Sequence, residues 1–79
     1  MRLDKYLKVS RIIKRRTVAN EACDQGRVTV NGKAARASYD VKVGDKIEIS
    51  MGARTVTVEV LQVAETVRKD DAAAMYKEV

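Results

Sequence analysis

The sequence predicts an α+β fold in which two helices with a basic face pack on a small twisted β-sheet of three to five strands, with a short C-terminal helix. Three observations carry that prediction. Apolar residues recur at helical spacing only before Gly26. From Arg27 onward they alternate in the strand period, interrupted by Asn31-Gly32, Gly44-Asp45 and Met51-Gly52. The positive charge collects in the helical half. Residues 1–36 carry ten Lys/Arg against three acids, or +7, and residues 37–79 carry six against eight, or −2, which together make the +5 of the whole chain.

The elements follow in order. Leu3, Tyr6 and Leu7 stand at i, i+3 and i+4 and form one helix face, with Lys5 and Lys8 off it. Ser10 and Arg11 mark the exit, and Ile12-Ile13 is an apolar pair that fills the gap between two helices. The second helix is expected from Arg16 to Gln25. Val18, Ala19, Ala22 and Cys23 give it a narrow face of small side chains, Thr17 or the residue before it caps the start, and Gly26 takes the left-handed cap. Arg27–Asn31 reads as a strand, Asn31-Gly32 as a tight turn and Lys33–Arg36 as the return. Val41 and Val43 lead through Gly44-Asp45 into a strand over Lys46–Ser50. After Met51-Gly52-Ala53, residues 55–60 alternate with Val56, Val58 and Val60 inward. A last helix is expected over 70–78, capped by Asp70 or Asp71 and anchored by Ala73, Ala74 and Tyr76. No repeat or linker interrupts the chain, so residues 1–79 read as one domain, with a core motif over 1–50 and a sheet extension and tail over 51–79.

Composition excludes several kinds of chemistry. With one Cys and no His, the chain has no internal disulfide, no zinc site of the usual Cys/His kind and no Cys–His or Ser–His pair. No cofactor or metal is expected. Cys23 lies among small residues and reads as a buried thiol. Only Tyr6, Tyr39 and Tyr76 are aromatic, so base stacking is not the main mode of any nucleic-acid binding. No apolar run approaches the roughly 20 residues of a membrane span, and no apolar stretch follows the basic N-terminus as in a signal peptide. The expectation is a cytoplasmic monomer with no membrane partner.

Seven of the first sixteen residues are basic, namely Arg2, Lys5, Lys8, Arg11, Lys14, Arg15 and Arg16, opposed only by Asp4. Such a field points to a polyanion. The alternative is a solvated helix face, but so lopsided a field costs self-repulsion that no fold requires.

Four pieces then occur in a telling order: Arg2-Leu3-Asp4-Lys5-Tyr6-Leu7, the Arg16 that opens the second helix, Gly26-Arg27-Val28-Thr29-Val30-Asn31-Gly32-Lys33, and Val41-Lys42-Val43-Gly44-Asp45-Lys46-Ile47. Residues 2–49 resemble the RNA-binding domain first described in the small-subunit ribosomal protein S-four. The resemblance implies an S-four-like fold whose two helices and following hairpin form a basic face for structured RNA. Many members carry Ser or Thr before the helix-opening Arg, where this chain has Arg15. The stretches 1–11, 13–17, 37–42 and 72–76 are most similar to a short stand-alone bacterial branch of ribosome-associated quality control, related to the fifteen-kilodalton heat-shock protein. That similarity implies a non-catalytic factor whose partners are large-subunit ribosomal RNA, the P-site tRNA and RqcH, acting while alanine is added to a stalled chain. Three other functions stay open: a recycling factor like the heat-shock homologue, the detached RNA-binding module of an rRNA-modifying enzyme, and an adaptor for an acidic protein. The acidic second half and Ala-rich tail favour the first reading, because the heat-shock branch usually ends in a basic extension.

The resemblance places Arg2 and Arg16 first among RNA-contacting residues. Arg11, Lys14 and Arg15 follow as phosphate contacts, then Lys8, Arg27 and Lys33, the last two returned to the same side by the chain reversal at Gly26. Asp4 is expected to orient Lys8 or a nearby Arg rather than act as an acid. Tyr6 is expected in the core with its hydroxyl at the surface, and Tyr39 is a candidate for stacking on a base.

Overall fold

The computed structural model describes residues 1–79. Two short helices, α1 (Leu3–Val9) and α2 (Arg16–Asp24), pack on each other and cover one face of a five-stranded antiparallel sheet. The strands are β1 (Val28–Val30), β2 (Lys33–Ala34), β3 (Lys46–Met51), β4 (Arg54–Val60) and β5 (Tyr76–Glu78), in the spatial order β2-β1-β3-β4-β5.

Helix α1 buries Leu3, Tyr6 and Leu7 completely. Its first amide groups are satisfied by a loop rather than by a side-chain cap: Leu3 N–H donates to the Tyr39 carbonyl at 2.8 Å and Asp4 N–H to that of Ala37 at 3.2 Å. A helix of seven residues is marginal alone, so this docking and the buried face hold it. The chain leaves through Ser10 and through Arg11, whose φ is +64°.

Helix α2 starts one residue earlier than a Thr17 or Arg16 cap requires. Its N-cap is Arg15, in extended geometry and with no side-chain cap bond. Ala19, Ala22 and Cys23 form the buried face as expected, but Val18 is 43% exposed. At the other end Gly26 N–H donates to Cys23 O and Arg27 N–H to Ala22 O, both at 3.0 Å, with Gly26 at φ +74°. This is the paired closure that needs a left-handed residue. Space is open around the position a Gly26 Cβ would take, so Gly26→Val meets only backbone strain, about 1–2 kcal/mol. Thermal denaturation should show a melting temperature lower by roughly 4–16 °C.

Asn31 and Gly32, at φ +53° and +85°, close the β1–β2 hairpin. The sheet face toward the helices is built from cross-strand pairs: Val30 opposite Ile47, Val28 opposite Ile49, and Ile47 opposite Val58. All five are buried, as is Val60, whereas Val56 is only half-buried. Val41 enters the core but Val43 is 65% exposed.

The tail departs from the expected α-helix. Lys69–Met75 is a 3-10 helix, and Tyr76–Glu78 is a strand pairing with the edge of β4. Its buried anchors are Ala72 and Met75, not Ala73 and Ala74, while Tyr76 packs half-buried against the core. The N-cap is Arg68, so neither Asp70 nor Asp71 has that role. Positions 72 and 75 are three apart, the 3-10 repeat, and β5 covers backbone groups that β4 would otherwise leave open. Tyr6 is likewise deeper than expected: its hydroxyl is buried and donates to the Met75 carbonyl at 2.8 Å. No helix is long and apolar enough to cross a membrane.

Candidate nucleic-acid interface

Lys5 and Lys8 lie on the outward side of α1, Arg11 and Lys14 in the connection that follows, and Arg16 at the first position of α2. These five side chains line one groove of about 900 Å³, and Lys69, from the start of the 3-10 helix, faces them across it. Its only acid is Glu65, which is paired with Lys5. Six cations against one carboxylate make the groove strongly positive, and Val9 and Val67 give it low-dielectric walls that concentrate the field. Arg16 also sits where the uncapped amide groups of α2 begin, a position that favours anions. Arg11 holds a left-handed conformation that costs a non-Gly residue about 1–2 kcal/mol. A local rule broken by a charged residue in a cationic groove has the pattern of a site that accepts strain for function.

Behind the groove lies Asp4, 2% exposed. One of its oxygens, Oδ1, accepts from Arg2 Nε at 3.1 Å and from Lys5 N–H at 2.8 Å. The other, Oδ2, accepts from Arg16 Nε at 3.3 Å, Asn20 Nδ2 at 3.3 Å and Arg2 Nη2 at 3.4 Å. Asp4 therefore orients two arginines and not Lys8, which turns outward into the groove. Burial alone would raise its pKa. The hydrogen bonds from Arg2, Asn20, Arg16 and the Lys5 amide outweigh that, so the carboxyl titrates below the ordinary aspartate range. With five donors around a carboxylate of about four lone-pair sites, its acceptor capacity is filled. A carboxyl with a depressed folded-state pKa contributes stability that is present above the unfolded value, near 3.9, and lost as pH falls through the folded one. The melting temperature should thus hold between about pH 7 and 5 and fall below about pH 4. Asp4→Asn should remove part of that acid dependence, and thermal scans across pH check it.

The remaining candidates are dispersed. Arg15 is exposed at the cap of α2 and lines none of the grooves described. Arg27 joins Lys14 in a shallower apolar groove between α2 and the β3–β4 turn. Lys33 lines a third groove with Arg36 and Tyr39 beside the β1–β2 hairpin. Arg27 and Lys33 bracket β1 at its opposite ends and line separate grooves. Tyr39 donates to Asp45 Oδ2 at 3.0 Å and packs half-buried against the core. The structure therefore unites Lys8, Arg11, Lys14 and Arg16, attaches Arg2 through Asp4, and separates Arg15, Arg27 and Lys33. It adds Lys5, Lys69 and Asn20. Asn20 was within reach of sequence reasoning, one helical turn from Arg16. Lys69 was not, because only the tail's packing brings it near. Cys23 is buried, and burial together with the charges of Asp4 and Asp24 pushes its thiol up to about 11, so it is protonated and unreactive near neutral pH.

A basic groove built on two helices that cap an antiparallel sheet defines an RNA-binding class. The S4 domain family matches residues 1–47, and the chain belongs to that family. Within it, the chain is 58% identical over 77 residues to the RQC P-site tRNA stabilizing factor of Halalkalibacterium halodurans, covering 98% of this chain and 88% of the relative. It is 57% identical over 77 residues, with the same coverage, to the factor of that name from Streptococcus pneumoniae. Among solved structures, the trimeric structure of Vibrio cholerae Heat Shock Protein 15 superposes with a TM-score of 0.93 at 30% identity, over all of this chain and 81% of that one. The fold and family expected from the sequence are thus borne out, as is the relation to the heat-shock protein.

Proposed function

We propose that this chain is a non-catalytic factor of ribosome-associated quality control that binds the large ribosomal subunit and steadies a P-site peptidyl-tRNA during RqcH-dependent alanine tailing. The observation that carries the reading is the groove of six cations, on a fold whose relatives at 57–58% identity are named for stabilising the P-site tRNA in RQC. Phosphate is the ligand that such a groove fits, because Arg and Lys contact it without regard to sequence. Saturation of Asp4 and burial of Cys23 support a role in holding rather than reacting. The protein acts as a cytoplasmic single-domain monomer, with ribosomal RNA and tRNA on the groove side and RqcH on the same subunit. Its effect is a shift of population toward the tRNA geometry it binds best, and cannot exceed its differential affinity for that geometry.

A reconstituted tailing reaction tests this, with large subunits carrying a stalled chain, RqcH and alanyl-tRNA. Adding the protein should increase alanine incorporation and saturate in excess. Equal incorporation with and without it would sink the proposal. Likeness to the heat-shock structure favours a second reading, recycling of stalled large subunits, which predicts release of the stalled chain's subunit with no gain in tail length.

A further inference from the structure

We infer that Asp4 and Asn20 are positioning residues that hold Arg2 and Arg16 as a two-sided clamp for one RNA phosphodiester. The inference rests on the RNA-binding reading above and adds how the binding groups are set. Arg2, the extended residue before α1, and Arg16, the first residue of α2, are fourteen residues apart, yet both bind the carboxylate of Asp4, chiefly through Nε. Each guanidinium side chain is still about half exposed, at 50% and 48%. Arg16 uses neither of its Nη groups on Asp4, and Arg2 engages only Nη2, at 3.4 Å. Both guanidinium groups are therefore gathered on one carboxylate, with N–H groups that Asp4 does not use and side chains half open to solvent. Two such groups match the two non-bridging oxygens of a phosphate, and a phosphate gripped by both gains geometry as well as charge. Asn20 donates to Oδ2 at 3.3 Å, beside Arg16 Nε, and fixes the carboxylate plane against α2. None of the Asp4 bonds from the arginines is as short as the 2.7–2.9 Å of a captured ion pair. Asp4 thus shares the two arginines without withdrawing them from a ligand. Holding two flexible side chains ready also removes ordering costs from the binding step.

The test has an inverted sign. Asp4→Asn raises the net charge of +5 by one unit, so a purely electrostatic account predicts tighter RNA binding. The clamp predicts weaker binding, because an amide presents N–H groups to donors and releases at least one arginine. Co-sedimentation of the full chain with purified large subunits, over a range of salt, should show Asp4→Asn weakened about tenfold. Its log–log salt slope should become shallower by roughly 0.7–0.9, the share of one lost phosphate. Asn20→Ala removes only the plane-fixing bond and should weaken binding about threefold, beyond what its lower melting temperature explains. Unchanged or tighter binding by both variants would overturn the clamp. So would weakening that only tracks lost folding, with the slope unchanged. The same series is run on a bare RNA stem–loop. If the parent binds the stem–loop but not large subunits, the ribosomal reading fails and the stem–loop series decides the clamp. If the parent binds neither, both are refuted.

Discussion

Raising salt from 50 to 200 mM should weaken binding to the large subunit by about a thousandfold. Lys5, Lys8, Arg11, Lys14, Arg16 and Lys69 share one groove. Each phosphate neutralised by such a group releases condensed counterions and contributes about −0.7 to −0.9 to the log–log slope, so six contacts give a slope near −5. A fourfold rise in salt then costs about three powers of ten. Glu65 works against one of the six, because a phosphate on Lys5 must displace it. That exchange makes the slope shallower, not zero. Arg27 and Lys33 lie outside the groove, so Arg27→Ala and Lys33→Ala should leave the slope nearly unchanged, whereas Lys14→Ala should reduce it by about one contact. Binding to purified subunits measured against salt checks all of these. A slope near zero would mean that the groove is not the ribosomal face.

What the sequence discloses and what it hides divide along contact range. The apolar spacing of Leu3, Tyr6 and Leu7, the cap at Gly26 and the turn at Asn31-Gly32 are local rules, and each is met in the structure. The tail is not local. Ala72 and Met75 are three apart, which fits a helical face of either kind, and β5 exists only because β4 offers an edge. The site divides in the same way. Lys8, Arg11, Lys14 and Arg16 are neighbours in sequence and stay together, so charge counting found them. Lys69 reaches the groove from the far end of the chain, and the Asp4 hub joins α1 to α2 through side chains whose meeting no periodicity announces. Arg27 and Lys33 flank one strand in sequence and line two separate grooves in the structure.

Met75→Ala should be among the most damaging single substitutions, lowering the melting temperature by more than about 10 °C. Met75 is fully buried in the core beside α1 and the sheet. Truncating such a side chain costs about 2–5 kcal/mol. A chain of 79 residues has a total stability of only about 4–12 kcal/mol, and each kcal/mol moves the melting temperature by roughly 4–8 °C. The backbone at this residue is equally committed: its carbonyl accepts from Tyr6 Oη at 2.8 Å, Leu61 N–H at 2.8 Å and Gln62 N–H at 3.1 Å. Met75 also joins the 3-10 helix that carries Lys69 to strand β5. Loosening it should withdraw one wall of the cationic groove and weaken RNA binding beyond what the unfolded fraction explains. Met75→Leu conserves volume and should cost less than about 1.5 kcal/mol, with Lys69 kept in place. The family match ends at residue 47, so the substitution also asks where the cooperative unit ends. A Met75→Ala variant that melts with the parent would place that boundary before the tail, and Lys69 would then have no fixed place in the RNA face.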